Sequence, residues 1–294
     1  MLTKLTSATQ EVLIGDGGPT VLIGERINPT GKKKMAAALQ AGDMDVVRRE
    51  AIAQVEAGAD VLDVNVGVAG LDQVALLPQA IQTVMSVVEV PLCIDSNNPA
   101  ALAAGLKVYK GKALINSVTG EERSLGAILP LVKEYGTAVI ALTMDDDGIP
   151  TEVERRVAIA HKIVERAASL GIPREDIVID CLTLTAATDH TAPFTTQEAI
   201  RRVKAELGVN MTVGASNVSF GLPDREIINS VFLTLVIGAG VTCPIVDVAK
   251  VRPIVLATDL LLGRDEYSAR YIRAFRQRQK ALEEQQQQAG AQSG

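Results

Sequence analysis

The apolar positions of this chain fall into short runs separated by stretches of helical character. Eight runs rich in Val, Ile and Leu recur, at residues 20–25, 61–66, 91–96, 113–118, 137–144, 177–182, 211–216 and 244–248. Short continuous apolar runs of this kind read as strands buried on both faces, as in a parallel sheet covered by helices. Between them the period changes. Val153, Val157, Ala160, Val164 and Ala167 fall on one face of a helix. Thr151 with Glu154 ahead of that face reads as a capping box, and Gly171 and Pro173 stop the helix behind it. Asn98-Pro99 opens another helix with a cap and a first-turn proline, and Thr195 with Glu198 opens a third. Eight strands with seven helical crossovers and a helical C-terminus predict an α/β chain folded as a single-domain (β/α)8 TIM barrel. A doubly wound open sheet is the structural alternative.

The ends fall outside the repeat. Residues 1–20 are polar and contain glycines, which predicts an N-terminal arm or cap. The barrel is assigned to 21–262, and a C-terminal helix and tail to 263–294. Within the latter, 265–288 reads as a long helix with Tyr267, Tyr271 and Phe275 on one face, an aromatic stripe able to dock on a partner subunit. The window 227–246 holds no charge, yet it contains Asn229, Gly238, Gly240 and Pro244, so a helix followed by a strand accounts for it better than a membrane span. No basic segment leads an apolar one in the first fifteen residues, and the chain reads as cytoplasmic.

Composition narrows the function. Apolar residues make up 47%, enough for a large core, while 29 basic against 35 acidic residues leave a net charge of −6. A protein that grips a phosphate backbone needs a concentrated basic face, so nucleic acid is excluded as a partner. Cys93, Cys181 and Cys243 are far apart, which argues against a disulfide framework or a structural zinc.

In a barrel of this kind the C-terminal ends of the strands point at the active site. Here those ends carry Glu25, Arg26 and Asn28; Asp63 and Asn65; Asp95, Ser96 and Asn97; Asn116 and Ser117; Asp145; Asp180; Ser216 and Asn217; and Asp247. Turn preference explains any one of them, but not the excess at one end of the fold. A bowl of acids and amides suits a polar, planar ligand rich in hydrogen-bond donors. No strand carries a lysine near its C-terminal end, which removes Schiff-base chemistry. The two histidines, His161 and His190, have no Cys or His at metal-ligand spacing, and no phosphate-binding G-x-x-x-x-G-K-[ST] loop is present. A hard-cation site built from Asp63, Asp95 and Asp247 is the rival reading.

Seven of these stretches, taken in order, carry a resemblance. Ile23-Gly-Glu-Arg-Ile-Asn28, Leu62-Asp-Val-Asn-Val-Gly67, Cys93-Ile-Asp-Ser96, Leu114-Ile-Asn-Ser117, Ala141-Leu-Thr-Met144, Ile179-Asp180 and Gly214-Ala-Ser-Asn-Val-Ser219 together resemble the pterin-binding methyltransferases. That family includes the methyltetrahydrofolate–corrinoid protein methyltransferases and the folate module of cobalamin-dependent methionine synthase. The resemblance spans about residues 21–250. It implies that the barrel mouth binds the pterin of tetrahydrofolate or methyltetrahydrofolate, with Asp95, Asn116 and Asp180 on the ring. Asn217 resembles the asparagine that hydrogen-bonds N5, the methyl-bearing nitrogen, and is the expected catalytic residue. Ser216 beside it, and Arg225 a few residues on, complete the expected folate contacts; Arg225 also reads as a first-turn surface arginine. One position departs: where a branch of the family has a folate-contacting glutamine, this chain has Phe220.

The resemblance further implies a corrinoid (cobalamin) brought by a separate protein, since no cobalamin-binding Asp-x-His-x-x-Gly segment occurs here. The cobalt then arrives on that partner, and no metal need be bound by this chain. A homodimer is implied as well. Dihydropteroate synthases share the barrel and pocket and are the enzymatic alternative; a folate-binding protein without catalysis is the alternative from another class.

Overall fold

A computed structural model describes residues 1–292. The chain opens with an antiparallel hairpin, β1 (Leu2–Thr6) and β2 (Glu11–Gly15). Eight parallel strands follow: β3 (Ile23–Ile27), β4 (Val61–Asn65), β5 (Leu92–Asp95), β6 (Leu114–Thr119), β7 (Ala138–Leu142), β8 (Ile177–Asp180), β9 (Asn210–Thr212) and β10 (Ile245–Val246). Their spatial order is β10-β3-β4-β5-β6-β7-β8-β9, and a bridge between Gly214 and Ile245 closes the ring into the expected barrel. The helices are α1 (Lys33–Gln40), α2 (Asp45–Glu56), α3 (Gln73–Met85), α4 (Pro99–Val108), α5 (Glu122–Tyr135), α6 (Val153–Ser169), α7 (Ala192–Leu207), α8 (Arg225–Ala239), α9 (Val248–Leu261) and α10 (Ala269–Gln292).

Two apolar layers hold this arrangement. One lies between strands and helices, where α6 buries Val157, Ala160, Val164 and Ala167 as its spacing predicts. The other fills the barrel interior with Ile23, Val61, Cys93, Leu114, Ala138, Ile140, Val178 and Cys243. Leu5 and Ile14 of the hairpin join this inner layer, so the N-terminal hairpin packs as a cap across the barrel floor. Asn210 fixes it there, donating to the Ile14 carbonyl and the Thr3 hydroxyl at 2.9 Å each.

Local signals differ from expectation in three places. The residue that caps α6 is Glu152, without a side-chain cap bond; Thr151 donates to the Glu152 carboxylate instead of closing a capping box. Helix α7 starts at Ala192, with Pro193 in its first turn, so Thr195 lies inside it. Tyr267 sits ahead of α10 at φ 52° and 89% exposed, which removes it from the helical stripe of Tyr271 and Phe275. At Asn98 the expectation holds: its side chain accepts from the backbone of Ala100 and Ala101.

The uncharged window becomes most of α8 and then β10. Among the described residues no helix is long and apolar enough to cross a membrane.

Candidate active site at the barrel mouth

The site follows from strand alternation. Successive side chains on a strand point to opposite faces, so the residue two positions after an inward apolar one points inward again, about 6.6 Å higher. Above Ile23 that residue is Glu25; above Val61, Asp63; above Cys93, Asp95; above Leu114, Asn116; above Val178, Asp180. β7 breaks the pattern, with the partly buried Leu142 above Ile140, and β9 supplies no residue to the apolar inner layer. The barrel therefore has an apolar lower storey and a polar upper storey.

Within that storey the side chains hold one another. Asn65 donates to Asp95 at 2.8 Å, and Asn116 donates to Asp63 at 3.2 Å. Burial pushes the Asp63 carboxyl well above the usual range, helped by the neighbouring charge of Asp95. Burial also raises Asp95 to about 6, against the bond from Asn65. Two carboxyls this close do not both ionise easily, so the pair retains a proton into the neutral range. Asp95 and Asn116 line a cavity of about 570 Å³ that opens between β5 and β6.

Asp180 lies buried at the end of β8. It accepts from the Leu182 backbone at 2.7 Å and from the Gly214 backbone, yet burial raises it to about 6. The loop above it is clamped by Arg156, wholly buried, whose guanidinium donates to the carbonyls of Pro150, Cys181 and Leu182 and to Thr196. This clamp fixes a loop in which Leu182 adopts φ 59°.

Across the mouth, the tight turn 215–219 carries Ser216 and Asn217. Ser216 donates its hydroxyl to the Glu25 carboxylate at 3.2 Å. Arg225 donates to the Ser216 carbonyl at 2.9 Å and to the Ser219 hydroxyl at 3.0 Å, and its guanidinium lies 5.7 Å from the centre of the exposed Phe220 ring. Ser219 in turn donates to Asn229 at 2.7 Å. None of these bonds uses the Asn217 side chain, which is exposed at the rim. Glu25, Ser216, Arg225, Asn229, Asp247 and Lys250 line a second cavity, of about 440 Å³.

The expected residues thus divide between two cavities on opposite sides of the ring, one beside β5, β6 and β7 and the other beside β10 and β3. Asp95 and Asn116 share the first, Ser216 and Arg225 the second, and Asp180 reaches the Asn217 turn through Gly214. Asp145, expected at the end of β7, is bound by Arg155 with 3.1 Å to each carboxylate oxygen. The hard-cation alternative lacks its geometry. Asp247 pairs with Arg26 at 3.7 Å on the β10 side, and among the described residues no three Asp, Glu, His or Cys side chains converge on a metal position. His161 is bonded to Glu206 at 2.9 Å on the outer helices.

Comparison with known proteins agrees with the resemblance read from the strand ends. A family model described as "Pterin binding enzyme" matches residues 24–247. The chain is 34% identical over 267 residues to the methylcorrinoid:tetrahydrofolate methyltransferase of Eubacterium limosum, covering 87% of this chain and 96% of that protein. It is 36% identical over 250 residues to the methionine synthase of Mycobacterium leprae (strain TN), where the match covers 80% of this chain but 21% of the larger protein. Among solved structures, the dihydropteroate synthase of Yersinia pestis with a pterine–sulfa conjugate superimposes with TM-score 0.70 at 15% identity, covering 89% of this chain and 99% of that one. The dihydropteroate synthase of Xanthomonas albilineans with 7,8-dihydropteroate gives 0.67 at 18% identity, over 88% and 98%. At such identities these two likenesses speak for the fold alone.

Proposed function

The chain belongs to the pterin-binding enzyme family, and on that premise we propose that it moves a methyl group between N5 of tetrahydrofolate and the cobalt of a corrinoid carried by a separate protein. The methyltransferase of Eubacterium limosum, matched over nearly its whole length, supports this reading over a dihydropteroate synthase, which the fold likeness alone would suggest. The observation that carries it is Asn217: an amide left free at the rim of the mouth, on a turn whose position other residues fix.

The roles follow from donor and acceptor chemistry. A pterin presents an amino-pyrimidinone edge with adjacent N–H donors, which a fixed carboxylate accepts as it would a guanidinium. Asp95 and Asp180 supply the acceptors, and Asn116 adds an amide. Arg225 and Ser216 line the second cavity, where the guanidinium N–H groups that remain free meet the acidic tail of folate. The corrinoid supplies the cobalt that exchanges the methyl group, so no metal held by this chain is required. As the methyl–N5 bond breaks, N5 keeps the bonding pair and leaves well only when protonated. The Asn217 amide oxygen accepts a hydrogen bond from that proton and favours the transition state over the ground state.

The test is spectroscopic. Purified protein is mixed anaerobically with Co(I) cobalamin and methyltetrahydrofolate, and protein-dependent formation of methyl–Co(III) is followed by absorbance. Folate binding by calorimetry without transfer, to free cobalamin or to a corrinoid protein, would make the chain a binder. Neither binding nor transfer would sink the pterin assignment. Affinity for folate is further expected to depend on pH. Asp95 and Asp180 take a pair of adjacent N–H donors fully only when ionised, and both are pushed up to about 6. Calorimetric affinity should therefore fall roughly tenfold between about pH 7 and pH 5.5; a flat profile would remove both carboxylates from the ligand.

We place the enzyme in the cytoplasm, where its three free, buried cysteines suit a reducing milieu, and assign it a homodimeric state. The face for dimerisation is α8, where Ile227, Val231 and Leu235 repeat at a spacing of four and are all exposed, beside Leu261 of α9. The wild type is expected to sediment at twice the chain mass and Val231→Glu as a monomer; a monomeric wild type refutes the assignment.

A further inference from the structure

Strand β10 is two residues long, the shortest in the barrel, and lies between β9 and β3. The turn carrying Asn217 begins just above the Gly214–Ile245 bridge that closes the barrel. One side chain ties that turn to β3. Glu25, at the end of β3, accepts the Ser216 hydroxyl at 3.2 Å, joining positions 191 residues apart. Glu25 is itself confined. Burial raises its carboxyl, Asp247 faces it with like charge, and Lys32 and Arg26 oppose that effect. Lys32 bonds the Arg26 carbonyl at 2.9 Å, and Arg26 is held by Glu50 and Asp247. Arg225 and Lys250 line the same cavity, but Arg225 donates to the Ser216 carbonyl and Ser219 rather than to Glu25, and Lys250 pairs with Glu226.

From this geometry we infer that Glu25 is a positioning residue for methyl transfer: through Ser216 it sets the turn that aims the Asn217 amide at N5. The inference rests on the methyl-transfer reading and deepens it. Ser216 is held on two atoms, its hydroxyl by Glu25 and its carbonyl by Arg225, so the residue next to Asn217 is pinned from both sides. Burial and Asp247 disfavour the Glu25 charge, and after burial the Ser216 hydroxyl is the largest influence on it, ahead of Lys32 and Arg26 in holding it ionised, which ties the carboxylate to the turn.

Four variants test it: Glu25→Ala, Glu25→Gln, Ser216→Ala, and Glu25→Ala with Ser216→Ala. Glu25→Ala is expected to lower the single-turnover transfer rate on the order of 30-fold, with calorimetric folate affinity changed by less than about threefold. Glu25→Gln keeps an oxygen that accepts from Ser216, and should recover to within about fourfold of the wild type. The double variant should be no slower than Glu25→Ala, because both changes break one bond. A second readout is independent of turnover. The Asn217 side-chain amide, assigned by its loss in Asn217→Ala, should give one sharp pair of ¹⁵N–¹H signals in folate-bound wild type and Glu25→Gln, and a broadened pair in Glu25→Ala. An unchanged rate in Glu25→Ala, equal losses of rate and affinity, failure of Glu25→Gln to recover, or additive double-variant losses would each overturn the inference. Failure of the wild type itself to transfer methyl would instead sink the functional reading, and the amide signal would still decide whether Glu25 orders the turn.

Discussion

Asn217→Ala is expected to slow methyl transfer by about 10²–10³-fold while leaving folate affinity within about threefold. The asymmetry follows from where the turn is held. Its position depends on the Glu25–Ser216 bond, on Arg225 to Ser216 and Ser219, and on backbone bonds from Asn217 N to Gly214 and from Phe220 N to Asn217. None involves the side chain that alanine removes, so the mouth keeps its shape. On the proposed assignment the pterin keeps Asp95, Asn116 and Asp180 in the ground state. What disappears is an acceptor for a proton that N5 carries only as the methyl–nitrogen bond breaks. Single-turnover rates read from corrinoid absorbance, set beside calorimetric affinity, separate the two quantities. Equal losses in both would make Asn217 an ordinary binding residue and end its catalytic assignment.

The barrel was legible because its strands are buried on both faces and so read as unbroken Val/Ile/Leu runs. The runs overshoot the strands because the apolar signal continues into the loops: 211–216 shrinks to Asn210–Thr212, and 244–248 to Ile245–Val246. The hairpin was hidden for the opposite reason. Its inward residues are few, with Thr3 and Leu5 on one strand and Ile14 on the other, and its turn at Ser7–Gln10 lacks the Asn-Gly or Asp-Gly pair that marks a tight hairpin.

Much of the candidate site was equally readable, since strand ends are linear positions. The Asp63 contribution was not. Reading the last residue of each strand places Asp63 among many acids, whereas alternation from the apolar storey puts it in the same layer as Asp95 and Asn116. Glu25 and Arg156 lay further out of reach. Their roles depend on Ser216, Cys181 and Leu182, which only the closed ring brings near them. No spacing rule along the chain encodes a bond across a barrel.

Asp180→Asn is expected to weaken folate binding by about a hundredfold and, in the same protein, to raise its stability at pH 8 by about 2 kcal/mol. Both effects come from one buried carboxylate. In the free enzyme Asp180 has a pKa of about 6 because burial outweighs the backbone donors of Leu182 and Gly214 and the charge of Arg156. The unfolded chain presents an ordinary aspartate near ~3.9. A folded pKa raised in this way means that the native state binds more protons between those two values. The contribution of Asp180 to stability is therefore greatest below about pH 4 and is lost as pH rises through about 6. Above that, the charge is a standing cost to the fold. The amide variant removes the cost, so its advantage in urea denaturation should be full at pH 8 and absent near pH 4. A gain that persists at the lower pH would mean better packing rather than relief of charge. On the proposed assignment the pterin recovers this cost when its adjacent N–H donors meet the carboxylate, an exchange of stability for affinity. Asparagine offers the ligand a weaker, uncharged acceptor and, in one orientation, a competing donor. Unchanged folate affinity in this variant would remove Asp180 from the pterin site and leave its ionisation without a functional account.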